Sequence, residues 1–151
     1  MLVERLMNSK VVSVTPDTPL LKVWQSISSK HTHGLLIVDK KNRLVGIISE
    51  EDLLGKLFPG YDDISSLLSE TEDDEIKEKI SKLKTWTAEK IMSRTVYFTR
   101  ADTSIMRALS RMLVRKVRQL PVLDDNDRVV GVISKADIFR GLFRPNIYSR
   151  K

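Results

Sequence analysis

Leu35-Leu-Ile-Val-Asp-Lys-Lys-Asn-Arg-Leu-Val-Gly-Ile-Ile-Ser-Glu-Glu-Asp52 returns 85 residues later, without a gap, as Leu120-Pro-Val-Leu-Asp-Asp-Asn-Asp-Arg-Val-Val-Gly-Val-Ile-Ser-Lys-Ala-Asp137. From 35–58 against 120–143, ten of 24 positions are identical, among them Asp39, Arg43, Gly46, Ser49, Asp52 and Phe58; composition alone would give about one or two. The same offset pairs Met7 with Met92, Val11 with Val96, Asp17 with Asp102 and Thr18 with Thr103. One unit is written twice. The chain divides into a first repeat (1–58), a connector (59–87), a second repeat (88–144) and a short tail (145–151). A unit of about 58 residues buries too little surface to be comfortable alone, so the two copies are expected to share one core.

Each copy opens on a β-branched stretch, Val11-Val-Ser-Val-Thr15 or Val96-Tyr-Phe-Thr99, read as a strand on propensity. A helix follows. Asp17-Thr18-Pro19 offers a cap and a first-turn proline, with Leu20, Leu21, Val23, Trp24 and Ile27 at helical spacing. The copy offers Asp102 or Thr103 as cap, then Ile105, Met106, Ala108, Leu109 and Met112. Two apolar runs joined by a polar turn, Leu35–Val38 and Leu44–Ile48, predict a hairpin covered on both faces. A last helix starts after Ser49 or Ser134 and ends near Phe58 or Phe143. The expected class is α+β (α/β-like): two β-α-β-β-α repeats packed with pseudo-twofold symmetry. Between them Pro59-Gly60 breaks the chain and Thr71 with Glu72, Asp73 and Asp74 starts a helix carrying Ile76, Ile80 and Leu83 on one stripe. That connector is read as a clasp or dimer contact.

The absence of cysteine excludes disulfides and thiolate metal sites. No leader-like apolar stretch opens the chain and no run reaches the roughly 18 residues a membrane helix needs, so the sequence reads as soluble and cytoplasmic with no membrane contact. Net charge is +2 over 1–58, −4 over 59–87 and +8 over 88–151, so the second half could attract a polyanion. His31 and His33 lack a third ligand nearby, so no metal site is expected. Arg107, Arg111 and Arg115 at i, i+4, i+8, with Lys116 and Arg118 behind, read first as a solvated helix face, then as a phosphate funnel. Few aromatics accompany them, and nucleic acid is the weakest reading. No nucleophile–base pair, P-loop or hydrolytic carboxylate pair is present, so an enzyme is not expected.

Gly-x-x-Ser-x-x-Asp closing a strand and opening a helix, twice at a fixed offset after Met7…Asp17-Thr18 and Met92…Asp102-Thr103, resembles the cystathionine β-synthase (CBS) domain. The pair resembles a Bateman module, here with no catalytic, channel or DNA-binding domain expected beside it. The resemblance implies a regulatory role: adenosine-containing ligands (AMP, ADP, ATP or S-adenosylmethionine) in clefts between the paired repeats, association into a homodimer, and signalling to an unknown downstream protein. No cofactor is required. By position, the family's base and phosphate contacts fall on Val12 and Tyr97 in the first strands, and on His33, Gly34, Arg118 and Gln119 before the second strands. Ile47 and Val132 would flank the nucleoside.

Physical chemistry adds the reason. A carboxylate at the third helix position, Asp52 or Asp137, can accept both hydrogen bonds of a ribose diol, and strand glycine lets a ring approach the backbone. Ser49 and Ser134, with free N–H groups of the helix start, can meet a phosphate. The same Ser-x-x-Asp is nearly a capping box, which needs no ligand. A ligand-free dimerisation or interaction module therefore stays open as the alternative, with nucleic-acid binding through the basic second repeat behind it.

Overall fold

The computed structural model describes residues 1–30, 32, 34–57 and 73–144. The first repeat supplies β1 (Ser13–Val14), α1 (Leu20–Ser29), β2 (Gly34–Val38), β3 (Leu44–Ser49) and α2 (Glu50–Leu57). The connector supplies α3 (Asp73–Leu83), and the second repeat α4 (Ala88–Ile91), β4 (Thr99–Arg100), α5 (Ile105–Arg115), β5 (Gln119–Leu123), β6 (Val129–Ser134) and α6 (Lys135–Leu142). The two sheets run β1-β2-β3 and β4-β5-β6, giving the expected β-α-β-β-α order in an α+β fold. β1 is parallel to β2 with Ser13 opposite Leu36, and β4 to β5 with Thr99 opposite Val122. The opening strands are shorter than β propensity predicts: each keeps two residues, at 13–14 and 99–100, so Val11, Val12, Val96 and Tyr97 precede them.

The hydrophobic residues form two clusters, not the single core expected. One holds Leu20, Val23, Ile27, Leu35, Ile37, Ile48, Leu53, Ala88, Ile91 and Met92. The other holds Val3, Ile105, Ala108, Met112, Leu120, Val122, Ile133 and Ile138. Neither is made by one copy alone. The chain splits into two compact units, one of 13–40 and 45–95, the other of 1–12, 41–44 and 96–151. Each copy's lead-in has thus crossed to the other copy's sheet. In the first unit Ala88 N–H donates to Thr18 O at 2.9 Å and Ile47 and Ser93 exchange bonds of 3.0 and 2.8 Å; in the second, Val3 N–H donates to Thr103 O at 2.9 Å and Asn8 and Val132 exchange bonds of 2.8 and 2.9 Å. The 85-residue offset relates these contacts almost one to one.

Two turns and two caps show the local chemistry. Asn42 and Asp127, equivalent by the offset, take φ of 61° in the hairpin turns, the left-handed region that short polar side chains tolerate. The Asp124 carboxylate accepts from the backbone N–H of Asn126 and Arg128, each at 2.9 Å. That donation, from Arg128 above all, holds its acid below the usual range. The predicted caps shift by one or two residues. Pro19 is the N-cap of α1 with no side-chain bond, because Asp17 is engaged by the Thr15 hydroxyl. Ser104, not Asp102 or Thr103, caps α5, accepting from Arg107 N–H at 3.2 Å. No described helix is long and apolar enough to cross a membrane.

Two stability outcomes follow from this packing. Thr99 is 1% exposed and its Oγ1 has no partner among the described residues; valine stands at the equivalent Val14. Thr99→Val should raise the urea midpoint at constant m, a gain of about 1 kcal/mol, and an unchanged or lower midpoint contradicts the unpaired hydroxyl. At Gly131 a Cβ would lie 2.8 Å from Met7 Sδ and 3.1 Å from Asn8 O. Gly131→Ala should cost about 1–3 kcal/mol, with the Gly131→Ala/Met7→Ala double variant losing less than the sum; strict additivity would show that the lead-in does not press on the strand.

Candidate ligand site at the two helix starts

Both predicted aspartates are caps. At the end of β3, Ser49 Oγ accepts from Asp52 N–H at 3.1 Å while Asp52 Oδ2 accepts from Ser49 N–H at 2.8 Å. At the end of β6 the reciprocal pair is 3.0 and 2.9 Å, and the Ser134 hydroxyl lies 2.8 Å from Asp137 Oδ2. The capping box is formed in each copy without a ligand. Capping nevertheless engages only one oxygen of each acid, Oδ2. Asp52 Oδ1 takes no hydrogen bond among the described residues, and Asp137 Oδ1 meets only Arg140, at 3.3 Å, with the Arg140 side chain 63% exposed. An exposed pair of that kind contributes little and yields easily. With about four acceptor positions per carboxylate, each acid keeps capacity for a diol.

The remaining predicted residues separate into those the fold gathers and those it does not. In the second repeat, Gln119 pairs with Ser134 and Pro121 with Val132 across the antiparallel β5–β6 ladder, and Arg118 O accepts from Lys135 N–H at 3.1 Å. Arg118, Gln119, Ser134 and Asp137 therefore crowd the start of α6. In the first repeat Gly34 lies against the β3 end, where a Cβ would sit 2.8 Å from Ile48 O; Ile47, Ser49 and Asp52 complete that corner. Val12 is exposed ahead of β1 and belongs to the other unit. His33, like His31, lies outside the described residues.

Two readings need correction. The strand glycines do not leave open backbone for a ring: Met92 Sδ would lie 2.7 Å from a Cβ on Gly46, as Met7 Sδ would on Gly131 at 2.8 Å. The chain's own methionines fill that space. The arginine stripe of α5 is not simply solvated. Arg111 donates to Phe98 O, and the Arg115 guanidinium lies 4.7 Å from the centre of the Tyr97 ring. Arg111 is thus engaged by the Phe98 carbonyl and Arg115 by one face of Tyr97, which weakens both the phosphate funnel and the nucleic-acid face. A feature the repeat alignment passed over is a polar groove of about 500 Å³ lined by Lys41, Arg43, Asn126, Asp127 and Arg128. The turns that build it looked only like solvated loops, although charge density at Lys40-Lys41-Asn42-Arg43 was the available signal.

Comparison with known proteins gives the same architecture. The CBS domain family matches residues 3–58 and again 88–144. An uncharacterized protein of Methanocaldococcus jannaschii is 25% identical over 154 residues, taking in 94% of this chain and 91% of its own length. A CBS domain-containing protein of Dictyostelium discoideum is 28% identical over 137 residues, 91% of this chain and 88% of that one. Among solved structures, the CBS-pair protein CBSX2 from Arabidopsis thaliana shares the fold with a TM-score of 0.77 at 23% identity, over 99% of this chain and 98% of that one. A CBSX2 structure in complex with AMP has a TM-score of 0.72 at 24% identity, over 93% and 95%. The CBS domain pair of protein MJ0100, in complex with 5′-methylthioadenosine and S-adenosyl-L-methionine, has a TM-score of 0.67 at 24% identity, over 93% and 94%. With both repeats matched and the fold shared, the chain belongs to the CBS-domain family and carries its domain in tandem.

Proposed function

We propose that this chain is a regulatory module that senses an adenosine-containing ligand through the carboxylates at the starts of α2 and α6 and passes the bound state to a partner protein. The observation that carries the reading is the division of labour within each acid: Oδ2 serves the cap, while among the described residues Oδ1 takes no hydrogen bond at Asp52 and is only loosely paired at Asp137. Held by its own helix, such a carboxylate loses no rotamer freedom when it receives a diol, which favours binding. The AMP complex of CBSX2 and the S-adenosylmethionine complex of MJ0100 support the ligand class. Signalling then requires the ligand to favour one conformation over another, since equal affinity for both shifts nothing. The fully formed capping boxes favour a second reading, a ligand-free interaction module in which Asp52 and Asp137 only hold helices.

Calorimetry with AMP, ADP, ATP and S-adenosylmethionine separates the two. At least one should bind below about 1 mM, and Asp52→Asn or Asp137→Asn should weaken it about 10- to 100-fold, the loss expected for hydrogen bonds to a charged group. Asparagine retains an acceptor oxygen for the cap, so the melting temperature should fall by only a few degrees. Failure of all four ligands, or normal binding by both variants, leaves the ligand-free module as the reading.

A further inference from the structure

Residues 41–44 and 126–129 share one compact unit and meet at an isolated antiparallel bridge, with Arg43 opposite Arg128. Leu44 N–H donates to Asp127 O at 3.2 Å and Val129 N–H to Asn42 O at 3.0 Å, so the backbone bonds flank the two arginines and leave them a non-bonded pair. At that position of an antiparallel ladder, opposite side chains share a face and stand closest together. Like charges set so repel each other. Lys41 brings a third cation to the same groove of about 500 Å³, which Asn126 and Asp127 complete.

The lining thus holds three cations and a single acid, and Arg100 already engages that acid, its Nη2 lying 2.9 Å from Asp127 Oδ1. Asp124 holds Arg128 through Nε at 3.2 Å, which occupies one of the several N–H groups of the guanidinium, and the Arg128 side chain stays 50% exposed. The backbone beneath is fixed: Asn42 Nδ2 donates to Val129 O at 3.0 Å and Arg100 donates to Asp124 O, so the charges are presented without first ordering a loop. We propose that the Arg43–Arg128 groove binds an oligophosphate anion, either inorganic or the phosphate chain of a nucleotide. Guanidinium forks take phosphate oxygens in pairs, and an anion of several adjoining charges relieves the repulsion built into the bridge. The groove is not the helix start of α6: Leu123 and Val129 close the β5–β6 ladder at the turn and Gln119 and Ser134 stand at its other end, about 17 Å away by the rise of a strand. It needs no ribose, so it stands or falls apart from the sensing role of Asp52 and Asp137.

The test is calorimetry on the full chain in phosphate-free buffer of low ionic strength, with inorganic tripolyphosphate as the probe. Binding should be saturable, below about 0.1 mM, and should weaken with added salt. Arg43→Gln and Arg128→Gln should each weaken it about tenfold or more, as loss of hydrogen bonds to a charged group does. Arg107→Gln on α5 and Arg118→Gln beside the start of α6 remove the same charge and should change affinity by less than about twofold, since nonspecific attraction depends only on net charge. Arg43→Gln should melt no lower than wild type, because it ends a like-charge pair, and tripolyphosphate should raise the melting temperature of wild type but not of that variant. ATP separates the two sources: a loss equal to that of tripolyphosphate in Arg43→Gln seats a nucleotide's chain here, and an ATP affinity untouched by Arg43→Gln makes the free oligophosphate the ligand. No saturable tripolyphosphate binding, equal losses in all four variants, or a loss confined to Arg118→Gln overturns the proposal.

Discussion

The structure depends on two glycines against which methionines of crossed-over segments pack. Gly46 and Gly131 are buried in β3 and β6, and the space a Cβ would need is held by Met92 and Met7. Each methionine belongs to the lead-in of the other copy. From that seat the lead-in reaches the strand backbone at Ile47 or Val132 and delivers an apolar residue, Ala88 or Val3, to the cluster beneath. A repeat of this length cannot close its core alone; the exchange completes each sheet with apolar residues from the other copy's entrance.

That exchange also marks how far the sequence could be read. The doubled β-α-β-β-α order is visible because apolar runs, a polar turn and a helix start recur at one offset, and these are local patterns. The pairing of Met7 with Met92 was visible too, but which sheet each joins is a long-range fact that no spacing contains. The same limit applies to the caps. Asp17 looks like a helix cap in one dimension, yet the hydrogen bond from the Thr15 hydroxyl keeps its carboxylate in the turn and below the usual acid range. Tyr97 looked free to stack on a base because its partner, Arg115, lies a whole helix away in sequence. Ser49, Asp52, Ser134 and Asp137 were legible because the box is local, and their open oxygens were not, because that depends on what surrounds them.

A carboxylate fixed by its own helix gives a regulatory module a particular advantage. Reading a ligand requires an acceptor already in place, and a free surface aspartate would have to be ordered first. Here the ordering is a by-product of folding: the Ser–Asp reciprocity satisfies N–H groups that any helix start leaves open. In the proposed role the cap would supply the preorganisation and the remaining lone pairs the recognition.

The two copies nevertheless present different chemistry at that shared position. Arg140 reaches back to Asp137 from α6, whereas the offset places Gly55 at the matching point of α2, and a Cβ there would meet nothing within 4 Å. A ligand arriving at Asp137 must compete with a guanidinium or share it, and a phosphate-bearing ligand would gain from its charge. At Asp52, whose Oδ1 takes no hydrogen bond among the described residues, acids Glu50 and Glu51 stand in the same turn, a setting that would repel an anion. Duplication preserved the capping frame while the side chains around it diverged, so the proposed ligand would meet different charges at the two copies.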